Sequence, residues 1–114
     1  MHPTIGERPH FVVLAPGDSR GRRIELPGND LVVGRGDRCD LHFEDPYLSR
    51  SHARLQRHGQ SLYIQDLGSA AGTFVNGAAT VGSYELRHGD VVRLAGGELR
   101  FVAHRAKTDS RAST

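Results

Sequence analysis

A chain of 114 residues, 37% apolar and 25% charged, holds one compact domain at most, with roughly two-thirds of its unfolded surface buried on folding. Fifteen Lys and Arg against thirteen Asp and Glu leave a formal charge of +2, too balanced for an electrostatic nucleic-acid binder. No apolar run approaches the roughly 20 residues of a membrane-spanning helix, Met1 to Pro9 has no leader pattern, and the lone Cys39 excludes an internal disulfide; the expectation is a cytoplasmic, soluble module without metal, cofactor or membrane association.

Residues 1–9 read as a tail. Phe11-Val12-Val13-Leu14 is the first β-rich run, and Gly17-Asp18 marks a turn after it. Arg20, Arg22 and Arg23 then read as a solvated hairpin, and Ile24-Glu25-Leu26 stops at Pro27-Gly28-Asn29. Leu31-Val32-Val33 runs into Gly34-Arg35, where glycine permits a close turn and arginine displays at a strand end a fork suited to two parallel bonds with an anion. Leu48-Ser49-Arg50-Ser51-His52-Ala53 leads into the alternating Ala53-Arg54-Leu55, and Leu62-Tyr63-Ile64 is the next β-rich run.

Asp66 opens a small-residue loop through Ser69, Ala70, Ala71, Gly72 and Thr73, in which Ser69 and Thr73 are expected to bond their own loop backbone. Asn76-Gly77 is a two-residue hairpin signal, because both residues tolerate positive φ. Val91-Val92-Arg93-Leu94 and Leu99-Arg100-Phe101-Val102 are the last strands, and residues 104–114 are polar and aperiodic, a tail or linker. No window places apolar groups at helical spacing. Many short strands at intervals of about 8 to 12 residues imply an all-β sandwich or barrel over residues 10–103.

The Gly34-Arg35 pair, the Ser49-x-x-His52 segment and the loop ending in Gly72-Thr73 before Asn76-Gly77 together resemble the forkhead-associated (FHA) domain family. Cys39-Asp40-Leu41, His88-Gly89-Asp90 and Leu99-Arg100-Phe101 support the match, which covers about residues 10 to 103. The resemblance implies a twisted two-sheet antiparallel β-sandwich with functional loops at one end that bind a phosphothreonine peptide, and so a phosphorylated protein partner in Ser/Thr kinase signalling. It assigns Arg35 and Ser49 to the phosphate, Arg50 to a place beside Ser49, and Ala70 and Ala71 to the peptide-facing loop. Gly34, His52, Ser69, Gly72, Thr73 and Asn76 become structural supports, and no residue is catalytic. A phosphate near neutral pH carries about −1.5 to −2 charges and three acceptor oxygens, which suits an arginine fork and a hydroxyl.

The loop departs from the family pattern at two positions. Ala71 stands where asparagine is usual and Ala70 where a polar residue is common, so neither side chain offers a hydrogen bond. Lost hydrogen bonds to a buried ligand group cost about 1–3 kcal/mol. A phosphate-independent interaction domain with a decayed phosphate site is therefore the alternative reading. A hydrolase could draw on Ser49, His52 and Asp66, but no Gly-x-Ser-x-Gly elbow is present. A nucleic-acid reading has only Phe43 and Tyr47 near the arginine loops for base stacking.

Overall fold

The computed structural model describes residues 8–103; residues 1–7 of the expected N-terminal tail and the whole of the C-terminal one, 104–114, lie outside the described residues. Eleven strands succeed one another in chain order: β1 (His10–Ala15), β2 (Arg23–Glu25), β3 (Asp30–Gly34), β4 (Leu41–His42), β5 (Ala53–His58), β6 (Ser61–Asp66), β7 (Thr73–Val75), β8 (Ala78–Ala79), β9 (Tyr84–Leu86), β10 (Val91–Leu94) and β11 (Gly97–Val102). They form a six-stranded sheet in the order β2-β1-β11-β10-β7-β8 and a five-stranded sheet in the order β4-β3-β5-β6-β9. The expected two-sheet sandwich is what forms.

Alternation decides which side of each strand faces the core. Leu31 and Val33 of β3, Ala53 and Leu55 of β5, and Leu62 and Ile64 of β6 are buried from one sheet; Phe11 and Val13 of β1, Val92 and Leu94 of β10, and Leu99 and Phe101 of β11 are buried from the other. The Phe11 and Phe101 rings meet at 5.4 Å in a tilted pair where β1 and β11 oppose these residues. On the outer face a bidentate Arg54–Asp30 pair at 2.7 and 2.8 Å spans β5 and β3.

One pairing departs from the fully antiparallel expectation. β4 runs parallel to β3, with Leu41 opposite Val33 and His42 opposite Gly34. The chain after Gly34 doubles back through a turn closed by Cys39 N–H on Gly36 C=O at 3.1 Å, and Asp40 accepts the Val32 N–H at 2.8 Å. That carboxylate replaces a ladder bond, so two residues suffice for the edge.

The hairpin expected at Asn76-Gly77 joins β7 to β8, with φ of 51° and 86°. Arg20, Arg22 and Arg23 are exposed around the β1–β2 connection, whose 3-10 turn spans Gly17–Ser19. Pairing also fixes which loops share an end. Gly34 ends β3 and Ala53, opposite Val33, begins β5; Thr73, opposite Leu94, begins β7. The β3–β4, β4–β5 and β6–β7 loops therefore gather at one end of the sandwich.

Candidate functional site

Three loops are locked together before any ligand arrives. Arg35 N–H donates to Ser49 C=O at 3.0 Å, Gly36 N–H to Arg50 C=O at 3.1 Å, and His52 N–H to Val33 C=O at 2.8 Å. The Cys39 thiol adds a bond to Arg50 C=O at 2.8 Å. Gly34 has to be glycine here because a β-carbon would lie 2.8 Å from the Ser49 carbonyl oxygen and closer still to that of Arg50. Sequence reasoning expected a close turn at Gly34; the space it vacates is taken by the neighbouring loop.

His52 is fully buried and links the other two loops. Its Nδ1 accepts the Ser49 N–H at 3.1 Å while Nε2 donates to Gly72 C=O at 2.8 Å, an arrangement that fixes the neutral Nε2–H tautomer. The same bonds dismantle the hydrolase alternative. Both ring nitrogens are committed to backbone, Asp66 Oδ1 stands 4.0 Å from Nε2, and the Ser49 hydroxyl oxygen is engaged with Ala70 N–H at 3.1 Å. Ser49, His52 and Asp66 therefore assemble no nucleophile–base–acid relay.

The β6–β7 loop is organised by Asp66. Its Oδ2 accepts the N–H groups of Gly68 and Ser69, both at 2.9 Å, and its Oδ1 accepts the hydroxyls of Ser69 and Thr73. Burial by itself would push this carboxyl up, but the hydroxyls of Ser69 and Thr73 and the two backbone donors together outweigh it and hold the group below its ordinary value. Ser69 behaves as expected, accepting Gly72 N–H at 2.9 Å. Thr73 differs from the expectation, because its buried hydroxyl turns to Asp66 instead of loop backbone. The sequence reading had Asp66 as the first residue of this loop and as a candidate catalytic acid, not as the loop's organiser; the informative signal was an Asp followed by Gly and Ser, the composition of a side-chain-closed turn.

On this frame sit the residues with groups to spare. Arg35 is exposed, and only its Nε is occupied, by Leu48 C=O at 3.1 Å, so its two terminal nitrogens point to no partner among the described residues. Ser49 uses its oxygen as acceptor for Ala70 N–H, which leaves the hydroxyl hydrogen to donate outward. Arg50, Ala70 and Ala71 are exposed around them. Asn76 stands apart from this group. It lies at the far end of β7, where its amide joins Asp90 and the N–H of Val91, both at 2.9 Å. Among the described residues no three His, Cys, Asp or Glu side chains gather in a metal-ligating set.

An open two-sheet sandwich whose loops present an exposed arginine and a serine hydroxyl at one end is the architecture of a β-sandwich interaction module. The family model for the FHA domain matches residues 31–95, and the chain belongs to that family. FhaB of Mycobacterium tuberculosis is 34% identical over 84 residues, which span 74% of this chain and 54% of that protein, so the chain covers about half the length of this relative. FhaA of the same organism is 35% identical over 93 residues, 82% of this chain and 18% of its own length. Among solved structures, an FHA domain studied for phosphothreonine-dependent interactions superimposes with a TM-score of 0.74 at 31% identity, covering 84% of this chain and 96% of that one. The FhaA FHA domain complexed with the intracellular domain of Rv3910 gives a TM-score of 0.71 at 31% identity, over 82% and 98% of the two chains.

Proposed function

We propose that residues 10–103 form a phosphothreonine-peptide-binding module that recruits a phosphorylated protein in cytoplasmic Ser/Thr kinase signalling, as a monomer or as one domain of a longer chain. The observation that carries this reading is the pairing of the unoccupied Arg35 guanidinium end with the Ser49 hydroxyl, on two loops joined by the Arg35 N–H to Ser49 C=O bond. An arginine fork and a hydroxyl donor at fixed spacing complement a dianionic phosphate, and charge-assisted bonds are roughly twice as strong as neutral ones. Arg50 adds positive charge beside them. The 31% identical FHA domain studied for phosphothreonine-dependent interactions supports the reading. No role for nucleic acid, cofactor or catalysis enters it.

In this reading Ala70 contributes through its backbone, whose N–H orients the Ser49 hydroxyl, while Ala71 presents only a methyl group. That second feature favours the competing reading, a phosphate-independent interaction domain. Calorimetry with matched phosphothreonine, phosphoserine and unphosphorylated peptides separates the two. Binding that needs the phosphate and prefers threonine, whose extra methyl is worth roughly 0.8 kcal/mol when buried, supports the proposed function. Equal binding of phosphorylated and unphosphorylated peptides overturns it.

A further inference from the structure

The β4–β5 loop has a second side that the phosphate site does not use. Between its stretch 43–48, the 3-10 turn after β1 and the β10–β11 turn lies a groove of about 510 Å³. Its floor is apolar, built from the core residues Val13, Leu48, Leu94 and Leu99 with half-buried Phe43. Asp45 holds the frame open: Oδ1 accepts Tyr47 N–H and Oδ2 accepts Gly96 N–H, both at 2.9 Å, so the loop is pinned to the β10–β11 turn.

The mouth is acidic. Asp18, at the 3-10 turn, is exposed and makes no hydrogen bond or ion pair among the described residues. The Glu44 side chain is 87% exposed and, among the described residues, pairs only with His42, at 3.4 Å. Arg22 also lines the groove, but no ion pair joins it to either carboxylate. An apolar trough with exposed carboxylates among its lining residues suits a lysine or arginine, which lays its methylene stem along apolar surface and keeps its charged head in water. A purely aliphatic side chain would leave those carboxylates unused, and an acidic one would be repelled.

The groove and the phosphate site share one loop. Leu48 is in the groove floor, and the next residue, Ser49, carries the phosphate-facing hydroxyl. Leu94, also in the floor, lies opposite Thr73, the residue after Gly72. We infer that this groove is a second subsite for the same phosphorylated partner and takes a basic side chain a few residues away from the phosphothreonine. The inference rests on the phosphothreonine reading. A ligand so recognised carries opposite charges at two points, so the partner's basic residue selects among phosphothreonine segments that the Arg35 site alone would accept equally.

The test is calorimetry with alanine-rich phosphothreonine peptides in which a single lysine is moved through each position on either side of the phosphothreonine, against wild type and the Asp18→Asn/Glu44→Gln double variant. Both substitutions are at exposed positions and keep side-chain size. Lysine at a restricted set of positions on one flank should tighten binding about three- to ten-fold for wild type, and the double variant should lose that gain while binding the lysine-free phosphopeptide at least as tightly as wild type. Norleucine at the best position should recover only part of the gain. If no lysine position improves binding, or the gain survives in the double variant, the groove is not a basic-residue subsite even though the phosphate reading stands. If wild type binds none of the phosphopeptides, the phosphate reading fails and the subsite fails with it.

Discussion

The Nε2–H of His52 donates to the carbonyl of Gly72 at 2.8 Å, a bond across 20 residues of sequence that ties the start of β5 to the end of the β6–β7 loop. Because the opposite ring nitrogen holds Ser49 N–H, one buried ring positions both sides of the candidate site. His52→Ala should strand a backbone donor and an acceptor and open a cavity, a loss on the order of 2–4 kcal/mol. In a domain of this size that lowers Tm by about 10 °C or more. An unchanged melting temperature would remove His52 from its bracing role.

Gly34→Ala tests the close approach of the β4–β5 loop. The added methyl would collide with the carbonyl oxygens of Ser49 and Arg50, which are fixed by their own hydrogen bonds and cannot move aside cheaply. A loss of about 1–3 kcal/mol is expected, with phosphopeptide binding reduced as the loop carrying Ser49 shifts. At Gly36 the same methyl would sit 3.1 Å from the Arg50 oxygen, a milder conflict, so Gly36→Ala should cost less. Urea melts of the two variants give the order directly, and the reverse order would contradict the packing described.

Arg35→Ala separates binding from stability. The side chain is exposed and donates only one bond, to Leu48 C=O, so the melting temperature should correspond to a change under about 1 kcal/mol. Phosphopeptide binding should disappear in calorimetry. Wild-type affinity in Arg35→Ala would place the phosphate elsewhere.

Asp66 gives the site loop a pH dependence whose sign is fixed. Its carboxyl is held below the ordinary value in the folded protein, so the unfolded chain binds its proton first as pH drops. The stability it contributes is complete above about pH 4, near the unfolded value, and is lost as pH falls through the lower folded value. Asp66→Asn should be less stable than wild type at pH 7, and the difference should shrink below about pH 4. Asp30, also lowered by its bond to Arg54, titrates in both proteins and cancels in the comparison. Parallel acid limbs in thermal melts from pH 7 to pH 2.5 would show that Asp66 is not specially stabilised as a carboxylate.

How much was legible in advance depends on how locally each feature is determined. β1, β3, β6, β10 and β11 each hold enough residues to display alternation, and Asn76-Gly77 announces its own turn. β4 and β8 have two residues each and no period to read; they exist because Leu41 and His42 find the edge of β3 and because the hairpin returns Ala78 and Ala79 to β7. Within the site, Arg35, Ser49 and His52 were legible as a spaced pattern. The Cys39 bond to Arg50 and the four-donor shell of Asp66 were not, since each depends on loops that meet only in the folded chain. The groove beside the β4–β5 loop was invisible for the same reason: its floor combines β1, β10 and β11 from one sheet with the loop after β4 of the other.

Ala71→Asn should tighten phosphopeptide binding. The backbone on either side of Ala71 is already fixed, with Ala70 N–H on the Ser49 hydroxyl oxygen, Gly72 N–H on Ser69 Oγ and Gly72 C=O on His52. Ala71 itself is exposed at the tip of this rigid loop, so a longer side chain there projects outward without displacing packed atoms. An asparagine carries both an acceptor and a donor and can pair with the C=O and N–H of an extended peptide. Because the loop is ordered in advance, little further conformational entropy is lost when the peptide docks. The gain should be about 0.5–1.5 kcal/mol, the usual net worth of a hydrogen bond, and should come mainly through a slower off-rate. Salt dependence, set by Arg35 and Arg50, should hardly change. If calorimetry finds Ala71→Asn neutral or harmful while Arg35→Ala still abolishes binding, the peptide backbone runs clear of this loop tip. If neither wild type nor Ala71→Asn distinguishes phosphorylated from unphosphorylated peptide, the phosphate-independent reading replaces the proposed one.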